Sequence, residues 1–318
     1  MAQANAKYYA TRDPFADFTT SPEIAQAFGE VLGAWAAISW QSIGRPDPVI
    51  LVEAGPGRGT LMADALRALA RVAPDFFAVL QLHLIETSPR LRACQAAMLP
   101  GAIWHDSLDT LPDMPVILIA NEFLDALPIR QFRRHANEWS ERHVTPAGFV
   151  DLPTEPRPEA ATDGDVIEIS EPGHAFVRNL AVRFRRHSGV ALFLDYGPAV
   201  SAPGDSLQAL RAGRPVEPWV EPGTADLTAH VDFSALACTA SQSGCDVQGP
   251  VPQGIFLARL GLFQRTDRLA CTQPPAGALR LIEAARRLAE PDRMGRLFKA
   301  MAVCHRGCPA LPGFGATA

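Results

Sequence analysis

Lysine is almost missing from this 318-residue chain: of its 29 basic residues, only Lys7 and Lys299 are lysines. Basic residues are also outnumbered, giving a net charge of −5, so nothing favours a polyanion and no nucleic acid partner is expected. The densest basic cluster, Arg183, Arg185 and Arg186, reads as a solvated helix face. No apolar run approaches the ~20 residues that cross a bilayer, so no membrane insertion is expected. The opening "MAQANAKYYATRDPF" has no basic stretch leading into an apolar one and does not read as a secretion signal. The six cysteines show no paired CxxC spacing. Even "CHRGC" at Cys304 to Cys308 lacks a second ligand pair, so no metal is expected. Free thiols in a reducing compartment point to the cytoplasm. The absence of G-x-S-x-G and H-E-x-x-H argues against serine-hydrolase and zinc-protease chemistry.

What is present is ordinary globular material, 47% hydrophobic and 20% charged, long enough to bury a substantial core. Its first half alternates short β-rich runs with helical patterns. Val49–Glu53, Gln81–Glu86, Ala102–His105 and Val116–Ala120 are candidate strands. "TLMADALRALARV" places Leu61, Ala65, Leu66 and Leu69 at helical spacing, and "SPRLRACQAAML" opens with Ser88 as N-cap and Pro89 at the first helical position. A β-α-β-α-β order implies parallel strands with right-handed crossovers, hence an α/β doubly wound sheet. "IRQFRRHANEWSERHV" reads as a hairpin around Ala136-Asn137, and Pro146 to about Gly164 as a surface excursion. Gly189–Gly197 resembles a strand covered on both faces. Residues 198–230, rich in proline, are expected to form an irregular cap. Asp232 is expected to cap a short helix, with "CDVQGP" a strand, "GALRLIEAARRLAE" a helix and "RLFKAMAVC" a last strand.

"VEAGPGRGTL", Val52 to Leu61, joins the first strand to the first helix through three glycines. Glycines there let backbone approach a ligand, and the helix N-terminus offers unpaired N–H groups. A P-loop needs a lysine that is not there, and a dinucleotide fingerprint needs its third glycine at position 60, whereas Gly59 precedes it. What remains is E-x-G-x-G-x-G, with Glu53, Gly55, Gly57 and Gly59; it resembles motif I of class I S-adenosylmethionine (SAM) methyltransferases. An acid at position 53 suits a cationic ligand and repels a pyrophosphate. Alternatively, the glycines serve only a tight turn. Glu86, at the end of the next strand, is placed to accept ribose hydroxyls. Asp106 is a candidate partner for an adenine amino group and Trp104 for the base, although Trp104 fits a core position equally well.

Several stretches taken together resemble the MidA-type methyltransferase family, which includes the mitochondrial complex I assembly arginine methyltransferase. They include "FTTSPEI", "EAGPGRGTLMADALR", "HLIETSPRLRACQ", "NEFLDALP", "LFLDYG", "DLTAHVDF" and "MGRLFKAMAV", in the family's order from Lys7 to Val303. One departure is that Phe15-Ala16 runs straight into Asp17-Phe18, without the glycine-containing residues usual there. The resemblance implies a class I methyltransferase fold, SAM as donor, and symmetric dimethylation of an arginine on a protein such as a complex I subunit. It implies that Gly55, Gly57 and Gly59 wrap the donor, that Glu86 holds its ribose, and that Asn121, Glu122 and Asp125 lie at the transfer site. The expected organisation is one domain, 1–318. It comprises a helical cover (1–45), a SAM-binding half (46–128), a hairpin and insertion (129–188) and the remaining sheet (189–318) with its cap.

Methyl transfer from a sulfonium to a guanidinium brings two cations together. Carboxylates are needed to relieve the repulsion and orient the planar fork. Glu122 is the first candidate for that clamp and Asp125 the second, with a helix N-cap as the competing role for Asp125. His230 is a candidate proton acceptor, though a lone histidine is more often structural. Asp195 and Tyr196 stand at another strand end on the same rim. Tyr8, Tyr9, Phe18 and Thr20 are candidates for a lid or for core packing. The alternatives are a SAM-fold assembly factor with weak turnover, and a nicotinamide-dependent dehydrogenase disfavoured by the glycine spacing.

Overall fold

The run Val49–Ala54 forms β1, and all six of its residues are buried. Because side chains alternate along a strand, Val49 and Leu51 enter one apolar layer while Ile50, Val52 and Ala54 enter another on the opposite face. That is how a central parallel strand, covered on both sides, must be composed. The computed structural model describes residues 1–12, 19–136, 138–155 and 161–315.

Among the described residues, three helices precede β1: α1 (Ala2–Thr11), α2 (Ser21–Ile24) and α3 (Gln26–Ser42). After it come α4 (Thr60–Val72), α5 (Pro74–Val79), β2 (Leu80–Ile85), α6 (Pro89–Met98), β3 (Ile103–His105) and β4 (Val116–Asn121). The Ser88 hydroxyl caps α6 by accepting from the Leu91 amide. An antiparallel insertion follows, with β5 (Arg130–His135), β6 (Glu138–Thr145), β7 (Gly148–Thr154) and β8 (Val166–Ile169), and then α7 (Glu171–Phe184) and β9 (Gly189–Tyr196). A second small sheet contains β10 (Gln208–Arg211), β11 (Arg214–Val216) and β12 (Asp226–Thr228). The chain ends with α8 (Phe233–Gln242), β13 (Asp246–Pro252), α9 (Gln253–Arg259), α10 (Leu262–Ala270), α11 (Pro275–Ala289), α12 (Met294–Leu297) and β14 (Phe298–Cys304).

The central sheet has seven strands in the order β13-β14-β9-β4-β1-β2-β3. Pairings from β3 to β9 are parallel, while β14 is antiparallel to both its neighbours. This is the expected α/β doubly wound class, and the order reverses between β1 and β4, where such sheets open a ligand crevice. Trp35 and Phe28 of α3, Leu61 of α4 and Leu288 of α11 cover one face; Val177 and Leu180 of α7 with Phe233 and Leu236 of α8 cover the other.

Two segments differ from their expected form. Residues 198–230 hold the three-stranded sheet β11-β10-β12 rather than irregular chain, and the excursion after Pro146 holds β7. Both hide prolines on edge strands, Pro215 in β11 and Pro153 in β7, where a missing N–H removes no central ladder bond. The turn residue Asn137 lies outside the described residues.

α3 and α4 approach closely because glycines face the contact. A Cβ at Gly33 would lie 2.9 Å from the Ala65 Cα, and one at Gly29 would lie 2.8 Å from Leu61 O. Gly33→Leu is therefore expected to pry the helices apart and cost ~1–3 kcal/mol by overpacking, read as a lower urea midpoint. An unchanged midpoint would contradict this packing.

Candidate active site

Four parallel strands deliver their carboxyl ends to one cavity of about 720 Å³, within the ~300–1,000 Å³ range typical of small-molecule sites. β1 contributes Glu53 and the glycine loop. Gly55 and Gly59 have φ of +67° and +88°, which a side chain at either position would strain; a Cβ on Gly55 would also meet Phe123 at 2.9 Å. Gly55 to Arg58 thus face the cavity, whereas Gly59 does not line it: it is buried against Leu99 and serves the turn into α4.

Glu53 is only 2% exposed, and its Oε2 has no hydrogen-bond partner. Burial pushes its carboxyl up to about 8. One further buried oxygen on the same wall is also unpartnered, Asn121 Oδ1 at the end of β4. Buried polar atoms are normally satisfied, so two orphans on one cavity wall indicate a site built for a polar ligand.

Glu86 follows β2. Its Oε1 accepts from the Ser88 amide at 2.8 Å and its Oε2 from Gln95 Nε2 at 3.3 Å. Burial raises its pKa, and these donors pull it back. Gln95 also donates to Gly57 O at 2.7 Å, linking the acid to the glycine loop. Asp106 stands at the rim with its side chain 78% exposed, paired to Arg92 at 2.6 Å. Trp104 is not in the cavity wall: its indole N–H donates to Gln95 Oε1 at 2.8 Å, so it fixes the residue that holds Glu86.

β4 ends in Asn121, and Glu122 follows in the left-handed region at φ +49°. Its Oε1 accepts from the Ser21 amide at 2.8 Å and Asn121 Nδ2 at 3.1 Å, while burial raises its pKa. Asp125 does not join it. It is buried behind the cavity, where desolvation and then the charges of Asp195, Asp226 and Glu122 hold its carboxyl well above the usual range. No helix follows Asp125, so the N-cap alternative is also not what the structure forms. His230 is exposed on a second cavity of about 1160 Å³, its ring edge-on to Tyr196.

Sequence reading missed the contributions of Ser21, Glu23 and Gln95. Ser21 and Glu23 come from "SPEI": Glu23 Oε1 accepts from Thr60 Oγ1 at 2.5 Å and faces the cavity. A cluster of helix-capping types ahead of a long helix was the available signal. Tyr9 and Thr20 line the cavity, whereas Tyr8 is wholly buried in packing and Phe18 lies outside the described residues. α1 is tied down on both sides: Tyr9 O accepts from Ser88 Oγ at 2.9 Å, and Tyr9 OH donates to Asp226 at 2.7 Å. Among the described residues, the cavity wall carries six carboxyl groups (Glu23, Glu53, Glu86, Asp106, Asp109, Glu122) against one guanidinium, Arg58.

Known proteins resemble this chain in sequence and in fold. A Drosophila melanogaster protein named as a mitochondrial NDUFAF7-homologue protein arginine methyltransferase is 33% identical over 95% of this chain and 79% of its own length. The Danio rerio protein arginine methyltransferase NDUFAF7, also named as mitochondrial, is 31% identical over 93% of this chain and 79% of its own. A Burkholderia thailandensis crystal structure with bound S-adenosyl-homocysteine superposes with a TM-score of 0.77 at 28% identity, covering 95% of this chain and 82% of that one. A native crystal structure from the same organism gives 0.81 at 28% identity, covering 100% and 89%. The mitochondrial naming of the curated relatives overturns the cytoplasmic expectation: free cysteines report a reducing environment, which is not unique to the cytoplasm. The family model for S-adenosyl-L-methionine-dependent methyltransferases matches residues 31–251, more than half of the sequence, and this chain belongs to that family.

Proposed function

We propose that this methyltransferase modifies an arginine side chain of a protein substrate, by symmetric dimethylation, with a respiratory complex I subunit as the expected acceptor. The carrying observation is the excess of carboxyl groups in one cavity, including a buried Glu53 oxygen without a partner. A site that must hold a sulfonium and a guanidinium together needs that excess, whereas a pyrophosphate would be repelled by it. The similarity to proteins named as arginine methyltransferases supports the choice of acceptor.

The residues fit S-adenosyl-L-methionine end to end. In this reading Glu86 takes the ribose hydroxyls, Asp106 the adenine edge, and the loop from Gly55 to Arg58 allows close backbone approach; all of them line the cavity. Glu53 and Asn121 offer their unpartnered oxygens to the cationic end. Bound there, the donor supplies an electrophilic methyl group, which an arginine nitrogen accepts as it loses a proton. Glu122 holds the guanidinium beside Asn121, and its burial-raised carboxyl is a nearer proton acceptor than His230, which faces the other cavity. Asp125 acts from behind the wall. Water exclusion by α1 strengthens each of these charge interactions.

Three outcomes follow. Glu86→Ala is expected to weaken SAM binding by about tenfold to 100-fold in calorimetry, the scale of a charge-assisted hydrogen bond; unchanged affinity would remove Glu86 from the ribose site. In a second assay, purified protein, labelled SAM and a lysate lacking the protein should place label on arginine. Glu122→Gln should slow that transfer on the order of 100-fold. Label on lysine or small molecules only contradicts the acceptor assignment, and no label at all favours a SAM-fold assembly factor. The third concerns stability. Glu53 ionises near 4.5 when unfolded and at about 8 when folded. Between those values the unfolded chain has released a proton that the folded chain retains, so stability falls as pH rises through that window. Thermal unfolding should therefore show ligand-free Glu53→Gln gaining Tm over the wild type at pH 8 and not at pH 4.5; parallel curves would contradict the buried-acid assignment.

A further inference from the structure

Asp195, at the penultimate position of β9, is 1% exposed and lines neither cavity. It is nevertheless the convergence point of the turn that carries Glu122. Its Oδ2 accepts three consecutive backbone N–H groups, from Phe123 at 3.2 Å, Leu124 at 2.9 Å and Asp125 at 3.2 Å. Its Oδ1 accepts from the Tyr196 amide at 2.9 Å. The Glu122 amide is tied to the same strand, donating to Leu194 O at 2.8 Å. Three successive amides aimed at one oxygen form an anion nest, and a nest binds a full negative charge far better than a neutral group.

The nest accounts for the backbone of Glu122. A non-glycine residue at φ +49° sits in a region that L side chains rarely adopt, and it persists only where the surroundings over-determine it. Without the carboxylate, the three amides that follow Glu122 have no acceptor, and the bond to Leu194 O is left alone to hold its strained backbone. The Glu122 side chain then leaves the hydrogen bonds from Ser21 and Asn121 that aim it into the cavity.

We infer that Asp195 is a positioning residue for methyl transfer: it never touches the reactants, but its carboxylate locks the 122–125 turn and so aims Glu122 at the acceptor. This rests on the assignment of Glu122 as the acceptor clamp. The groups facing Asp195 are Glu122 and Asp125 from the turn, Tyr196 from its own strand and, across β14, Lys299, whose ammonium is bonded instead to the Gly197, Arg296 and Leu297 carbonyls. Its charge is therefore stabilised by backbone dipoles rather than by an ion pair, and burial pushes its carboxyl up to about 7. Protonation weakens the nest, so transfer should fall on the acid side of neutrality.

The test is a double-mutant cycle of Asp195→Asn and Glu122→Gln, using labelled SAM and a lysate lacking the protein. The asparagine keeps the shape of the side chain but turns an N–H₂ toward amides that need an acceptor. Asp195→Asn is expected to bind SAM within about threefold of the wild type, because Glu86 and the glycine loop are untouched, yet to transfer methyl on the order of 100-fold more slowly. The double variant should be no slower than Glu122→Gln alone, since one residue acts through the other. Full activity in Asp195→Asn, or losses that simply multiply, overturns the inference while leaving Glu122 in place. A normal rate in Glu122→Gln overturns the clamp itself and the inference with it. If Asp195→Asn does not fold, hydrogen exchange on the wild-type protein decides. Amides 123–125 should be protected above pH 7 and lose protection below it; exchange at exposed-loop rates throughout contradicts the nest.

Discussion

A carboxyl group buried at the tip of a central strand, with one oxygen left unbonded, is the constraint around which this molecule is arranged. Glu53 gains nothing for the ligand-free fold: desolvation holds its proton on far above the ordinary range, and no neighbour compensates. Such a residue makes physical sense where a cation enters from outside. The turn at Gly55 lets the backbone pass beside that acid without side-chain obstruction, and the order reversal between β1 and β4 opens the crevice it faces. α1 closes the far side through Tyr9, which reaches both the Glu86 wall and the β12 strap.

The acidic groups at the sheet's edge fall into two sets with different work. Glu23, Glu53, Glu86 and Glu122 face the cavity, where their carboxyl groups are available to a ligand. Asp125, Asp195 and Asp226 point away from it into protein. There Asp195 gathers backbone amides, Asp226 receives the Tyr9 hydroxyl, and the Asp125 carbonyl accepts from the Ala229 amide just after β12. Burial raises the carboxyls of Glu53, Glu86, Glu122, Asp125 and Asp195, neighbouring negative charge adds to the rise at Asp125 and Asp195, and backbone donors oppose it at Glu86, Glu122, Asp125 and Asp195.

Much of the frame was legible in the sequence because it is locally encoded. Val49–Ala54 announces itself by unbroken apolar character, Ser88-Pro89 by capping chemistry, and the glycine loop by spacing. The strands in 198–230 were not legible, because proline on an edge strand looks the same in sequence as proline in a coil. The site divided along similar lines. Glu53, Glu86 and Asp106 follow from strand-end positions, which periodicity reveals. Whether Glu122 or Asp125 faces the cavity depends on one positive φ, and no pattern of residue types encodes that. Trp104 acts through Gln95, a long-range hydrogen bond that sequence spacing cannot show, and the mooring of α2 onto Glu122 spans a separation of 101 residues.

If the unpartnered acid exists to meet a cationic donor, ligand entry must strip its proton. Calorimetric titration with SAM near pH 7, repeated in buffers of differing ionisation enthalpy, measures that directly. Net proton release on binding is expected, and it should shrink in the Glu53→Gln variant. Binding with no proton exchange, or with net uptake, would contradict the account.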